Sequence, residues 1–223
     1  MLFTFIAFII LVFLLLGQCH TNSTFSNVYL AEVHYNQTTT ALNDTATSLR
    51  MGFRGACIIT AKETNCSDYG SLQQRWTATP LTQVSLADVA VSWHKSTHYH
   101  VVLVGVLVGL VKMGLILYTM VPRLPRHFQV SLVCVGVAAV EVILVGASAI
   151  AHHAATSAAI YTAGEASGDQ IAITRGGRAN GMTWAAVTLA SLSVVAMVAS
   201  CVADLRRQQR DSHETKPSLR DAL

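Results

Sequence analysis

Four long apolar runs, residues 1–17, about 101–121, 129–151 and 183–203, constrain this chain more than any other feature. Each is near the ~20 residues that a helix needs to cross a ~30 Å hydrocarbon core. A helix pairs its own backbone groups, so such runs can sit in lipid. The remainder is one long loop (18–100), a short link (122–128), a second loop (152–182) and a tail (204–223). No soluble catalytic domain of ordinary size fits in those pieces. Only 12% of the residues are charged, against about a quarter in a typical soluble domain. The expected fold class is an all-α membrane bundle of four transmembrane helices, with a small sheet outside it.

The formal charge of +3 is too small to suggest a nucleic-acid partner. Its placement is more informative. Arg123 and Arg126 lie in the short link, and Arg206, Arg207, Arg210, Lys216 and Arg220 lie in the tail. Putting both on the cytoplasmic side satisfies the positive-inside tendency, and leaves 18–100 and 152–182 outside. The glycosylation tripeptides at Asn22, Asn36, Asn43 and Asn65 all fall in 18–100. One such tripeptide is weak evidence; four in one loop support an extracellular face.

Residues 1–17 read as a first span, with the apolar core of a signal peptide as the alternative. The run is short and has no basic flank, and Gln18-Cys19-His20 makes a poor cleavage site. In the long loop, Val28 to Tyr35 reads as a strand with Tyr29, Ala31, Val33 and Tyr35 on one face. A second strand is expected over Met51–Thr60, interrupted by Gly52 and Gly55, and a third near Gln74–Thr79. Together they predict a small antiparallel sheet on the membrane. The link from Pro122 to Phe128 is short, so spans two and three are antiparallel neighbours. Trp184 opens span four as an interfacial anchor. The last 20 residues read as a polar, disordered tail.

Cys57 and Cys66 lie in the outer loop, an oxidising place. The eight residues between them allow a bridge that closes a hairpin; free thiols, or a pairing that uses Cys19, remain open. Cys134 and Cys201 fall inside spans, as packing residues. Gly52 and Gly55 allow a bend or a close backbone approach. Phe53 could then pack on the sheet or on the outer ends of the spans. Gly52-Phe53-Arg54-Gly55-Ala56-Cys57, with Cys66 downstream, resembles the Gly-hydrophobic-x-Gly-x-Cys…Cys signature of claudin-like four-span proteins. Ser26-Asn27-Val28-Tyr29-Leu30, followed by Tyr35-Asn36, is similar to one fungal family. These are the mating-induced claudin-like regulators of calcium influx and promoters of membrane fusion. Arg54, in place of a more hydrophobic residue, and Thr64-Asn65, in place of an aromatic, depart from the pattern. The resemblance implies a non-enzymatic plasma-membrane regulator of calcium influx during mating, with a role in cell fusion. Two rival classes are an adhesion protein at cell contacts and a pore or transporter.

Lys112 and Glu141 are the sharpest chemical signals, because each lies deep in an apolar span. A charge there costs at least ~2.5–3.5 kcal/mol on insertion scales. Their depths differ by roughly 5 Å at ~1.5 Å per residue, which a lysine stem can cover. The pair reads as a lock between two helices or as part of an ion-gating path. Gly105 and Gly109, Ala186 and Ala190, and Ala199 and Ala203 have the spacing of close helix contacts. His94, His98, His100, His152 and His153 fall at one outer surface, as a solvated cluster or a metal or pH site. No nucleophile, metal-hydrolase, phosphate-loop or dinucleotide fingerprint is present. No catalytic residue, cofactor or metal site is therefore assigned. The expected partners are membrane lipid and either a calcium channel or a second copy of the chain.

Overall fold

The computed structural model describes residues 2–18, 27–35, 48–59, 63–71, 86–97, 99–119, 127–169 and 171–214. These are mostly helical, with one small antiparallel sheet. The helices are α1 (Leu2–Leu16), α2 (Leu86–Ser96), α3 (Tyr99–Thr119), α4 (His127–Ser167) and α5 (Gly177–Glu214). The strands are β1 (Ala31–Tyr35), β2 (Ser48–Met51), β3 (Gly55–Ile59), β4 (Thr64–Asp68) and β5 (Ile171–Arg175). Three helices contain stretches long and apolar enough to cross a membrane: Tyr99–Thr119, Gln129–Glu165 and Gly177–Arg206. The first helix is apolar but has only 15 residues, about 22 Å at 1.5 Å per residue. It nonetheless packs against α3 and α5.

Side chains three and four apart share a helix face, and that rule builds the bundle's interior. On α4 the buried row is Ala138, Glu141, Val145, Ala149 and His152. On α5 it is Ala179, Thr183, Ala186, Ala190 and Ser193. On α3 it is Val102, Gly105, Val106, Gly109 and Lys112, and on α1 Thr4, Ala7, Leu11 and Leu14. The outward faces are large and apolar: Leu107, Val111, Ile143, Val195 and their neighbours are exposed to the surroundings. That is the inverse of a soluble bundle, and lipid is the solvent that such faces suit.

The sheet runs in the order β4-β3-β2-β1-β5, with every neighbouring pair antiparallel. Alternation sets its two faces. Ala31 and Val33, Leu49 and Met51, Ala56 and Ile58, and Ile171 and Ile173 are buried in one core with Phe53, Tyr69 and Trp93. Glu32 and Arg50 face the other way as a cross-strand ion pair at 3.3 Å. The guanidinium of Arg50 also lies 4.7 Å from the Tyr29 ring centre.

The structure departs from the sequence reading in several elements. The expected strand over Met51–Thr60 is two strands, folded back at Gly52–Arg54. The edge strand β4 was not expected, and the expected strand near Gln74–Thr79 lies outside the described residues. The sheet also recruits β5 from the second loop, which pairs with β1 from Ala31↔Arg175 to Tyr35↔Ile171. Helix α4 continues sixteen residues beyond 151, to Ser167. It ends where Gly168 takes φ 60. The amide of Asp169 donates to the Gly164 carbonyl at 2.8 Å, and that of Gly168 to Glu165 at 3.4 Å. This is the paired C-terminal cap that a left-handed glycine permits. Helix α5 likewise runs through the basic segment to Glu214.

Candidate functional site

The lower part of the site lies at the centre of the bundle. Lys112 and Glu141 are both 0% exposed, and the Lys112 ammonium donates to the Glu141 carboxylate. It also donates to Ser193 Oγ on α5 at 3.3 Å. Three helices therefore meet at one polar network. Two opposite charges in a low-dielectric interior attract strongly, which offsets part of the large cost of taking each from water. Gly109 makes room for the carboxylate: a Cβ there would sit 2.8 Å from Glu141 Oε1. That oxygen is buried and has no hydrogen-bond partner among the described residues.

The upper part is the turn between β2 and β3. Gly52-Phe53-Arg54 reverses the chain, with the Gly52 amide donating to the Gly55 carbonyl at 2.8 Å. A Cβ on Gly52 would lie 2.6 Å from the Gly17 carbonyl, and one on Gly55 2.7 Å from that of Gln18. The chain leaving α1 thus runs against this turn, and only glycine lets it pass so closely. Cys57 and Cys66 face each other across β3 and β4 and are joined by a disulfide. The Tyr69 hydroxyl donates to the Gly52 carbonyl at 2.7 Å, tying the far end of β4 to the same turn.

Phe53 points from the turn onto His152, with ring centres 5.5 Å apart. Trp93 of α2 meets the same imidazole edge-on at 5.5 Å. His152, Val145 and Glu141 follow one another down a single face of α4. A continuous packed column therefore runs from the disulfide-closed turn to the buried charges.

The remaining predicted residues are distributed as follows. Asn65 is exposed on β4, whereas Asn22, Asn36 and Asn43 lie outside the described residues. The histidines form two groups. His94 stacks between Tyr69 and Tyr99, at 4.1 and 5.3 Å, and His100 packs on Tyr99 at 3.9 Å. Burial, with the nearby His100, holds the His94 imidazole below its usual pKa. His153 instead meets Trp184 and lies 3.5 Å from Arg175 Nη1. His98 lies outside the described residues. No three His, Cys, Asp or Glu side chains are placed to share a metal ion among the described residues. Gly105 and Gly109, and Ala186 and Ala190, are buried between helices, while Ala199 and Ala203 face outward. Sequence reasoning missed Ser193. Its signal was present: it continues the small-residue face of Ala186 and Ala190 by three further residues.

These features define a membrane protein whose helix bundle is joined to a disulfide-closed antiparallel sheet. Residues 33–203 match the family described as Ca2+ regulator and membrane fusion protein Fig1. The chain belongs to that family. Its description is of a regulator and a fusion protein, not of an enzyme. A search of the curated proteins finds no match.

Proposed function

We propose that the protein is a non-enzymatic, multi-pass plasma-membrane regulator of calcium influx during mating, with a part in cell fusion. The observation that carries this reading is the family match, because it spans the sheet, the disulfide and the three long apolar helices together. Four sequons in residues 18–100 and the arginines at the C-terminal end of α5 support an extracellular sheet and a cytoplasmic tail.

The claudin-like arrangement belongs to the same proposal, with α1 retained as the fourth span. Leu11 and Leu14 sit in the common core, and Gln18 is 0% exposed beside the Gly52–Gly55 turn. Removal of residues 1–17 would strip that core and uncover the turn. Mass spectrometry of the mature protein tests this: a recovered peptide that includes Leu11 and Leu14 supports it, and an N-terminus beyond residue 17 rejects it.

The functional test is calcium influx after mating-pheromone treatment, in cells lacking the protein and in cells with it restored. A reduced influx that the restored protein recovers supports the reading. Unchanged influx rejects it.

A further inference from the structure

At the end of the bundle away from the sheet, the helices part. Thr4, Thr119, Ser131, Cys134, Ser193 and Ser200 line a crevice of about 260 Å3 there. With Phe3, Ile116, Ala196 and Met197 they complete a mixed lining drawn from α1, α3, α4 and α5, in which five hydroxyls stand among apolar side chains. Ser200 is exposed at the mouth, whereas Thr4, Cys134 and Ser193 are buried at the floor. From Ser200 to Ser193 is seven residues, or about 10 Å of depth. The floor is the Ser193 hydroxyl that accepts from Lys112, so the crevice ends on the buried charge network.

On the opposite side of that network the column is closed. Val102, Val106 and Val145 are buried, and a Cβ on Gly105 would already touch Val145 at 3.3 Å. A second cavity, about 170 Å3 beneath Phe53 and His152, lies on the far side of this apolar layer. Among the described residues, the approach to the network is therefore built from one end.

We propose that this crevice is filled with water and brings the aqueous phase, from the α5 arginine end alone, to Ser193, the member of the Lys112–Glu141–Ser193 network that lines it. Thr4 supplies the independent argument. Thr4 lines the crevice, and its Oγ1 is buried with no hydrogen-bond partner among the described residues. A buried hydroxyl left unpaired costs roughly 1–3 kcal/mol. Rotation of the Thr4 side chain toward the crevice would let a water pair with it and remove that cost, and at ~30 Å3 each several molecules fit the space. A lipid chain would leave Thr4 unpaired. No carboxylate lines the crevice among the described residues, so the lining seen there suits water and small hydrophilic solutes rather than a divalent ion.

Cys134 is a natural probe of this space, and Cys201 is the matched control. Both are buried free thiols, and only Cys134 lines the crevice. The experiment uses full-length protein in sealed native vesicles of both orientations. The probe is a membrane-impermeant trimethylammonium methanethiosulfonate, read by peptide mass. In a Cys19→Ser, Cys201→Ser background, Cys134 is expected to be modified from the arginine-bearing face and left intact from the sheet face. In a Cys19→Ser, Cys134→Ser background, Cys201 is expected to stay unmodified. Ser131→Cys, placed in the second background, is expected to react from the same face. Modification by a lipophilic maleimide only would show a lipid-filled groove and overturn the proposal. Reaction of Cys134 from both faces would overturn its one-sidedness. Protection of both Cys134 and Ser131→Cys until denaturation would show a closed bundle and overturn it as well.

Discussion

The sheet and the helix bundle are held together by opposite means. The sheet buries branched and aromatic side chains on one face, away from water, and adds a covalent staple on the other. Burial from water drives that kind of packing at about 25 cal/mol per Å2. The bundle has no such drive between its helices, because lipid is as apolar as leucine. Its interior rows instead include small residues, Gly105, Gly109, Ala186 and Ala190, that let the helices approach around one polar network of Lys112, Glu141 and Ser193. Branched and aromatic groups dominate the core of the sheet, whereas in the bundle small and polar groups share the interior with Leu11, Leu14, Val102, Val106 and Val145. Substitutions of similar size should therefore have different consequences in the two regions.

The largest expected effect is at the charge pair. Glu141→Ala leaves the Lys112 ammonium buried and unpaired, and removing one partner of a buried pair typically costs ~3–5 kcal/mol. Replacing both, as Lys112→Met with Glu141→Leu, should cost far less, because no charge remains to be compensated. Unfolding of the detergent-solubilised protein measures both. If the single and double variants lose equal stability, the network contributes volume alone and the contrast with the sheet fails.

Next comes the staple. Replacing Cys57 and Cys66 together by serine should lower the stability of the sheet by ~2–3 kcal/mol, since the bridge closes only a short loop. The bundle should be little affected. Limited proteolysis distinguishes the two: cleavage should increase within residues 48–71, while α3 to α5 remain protected. Equal exposure of both would show that they unfold as one unit.

Glycines sharpen the comparison at smaller magnitude. Gly109→Ala puts a methyl 2.8 Å from Glu141 Oε1, and such overpacking costs typically ~1–3 kcal/mol. At Gly136 nothing lies within 4 Å of an added Cβ. Gly136→Ala should therefore stabilise α4 by up to ~1 kcal/mol through helix propensity. Opposite signs at these two positions are the expected result. The same sign at both would mean that Glu141 moves aside freely and that Gly109 is not needed to seat it.

How far these features can be read from sequence follows from what hydropathy measures. Apolar runs locate lipid, and they correctly marked the three long helices. They do not locate helix ends. Nothing in the backbone stops α4 at residue 151, so the helix continues through the Ala-rich segment until Gly168 supplies a cap. The same continuation brings Arg175 of β5 within reach of α4, where it donates to Ser157 Oγ at 2.5 Å. Pairing of β5 with β1 joins residues about 140 apart, and local alternation carries no signal of that. Around the site, Lys112 and Glu141 were conspicuous because charge is rare in lipid. Ser193 was not, because a serine in a membrane helix usually bonds its own backbone, and this one does so with Ala190 as well.

The smallest expected effect concerns pH, and it falls on the sheet side alone. His94 is held neutral between Tyr69 and Tyr99, where burial lowers its pKa below the unfolded value. In that case the unfolded chain binds the proton more readily than the folded one. The stacked histidine then contributes its full stability above the unfolded pKa, near 6.5. That contribution declines as pH falls from there through the lower folded value. Asp68 of β4 adds a second step in the same direction at more acid pH, since the Ser71 hydroxyl holds its carboxyl below the usual range. His94→Gln should flatten the first step between neutral and mildly acid pH and leave the second in place. Protease sensitivity of residues 48–71 as a function of pH reads both. If that profile is the same with and without His94, the stack is inert to protonation.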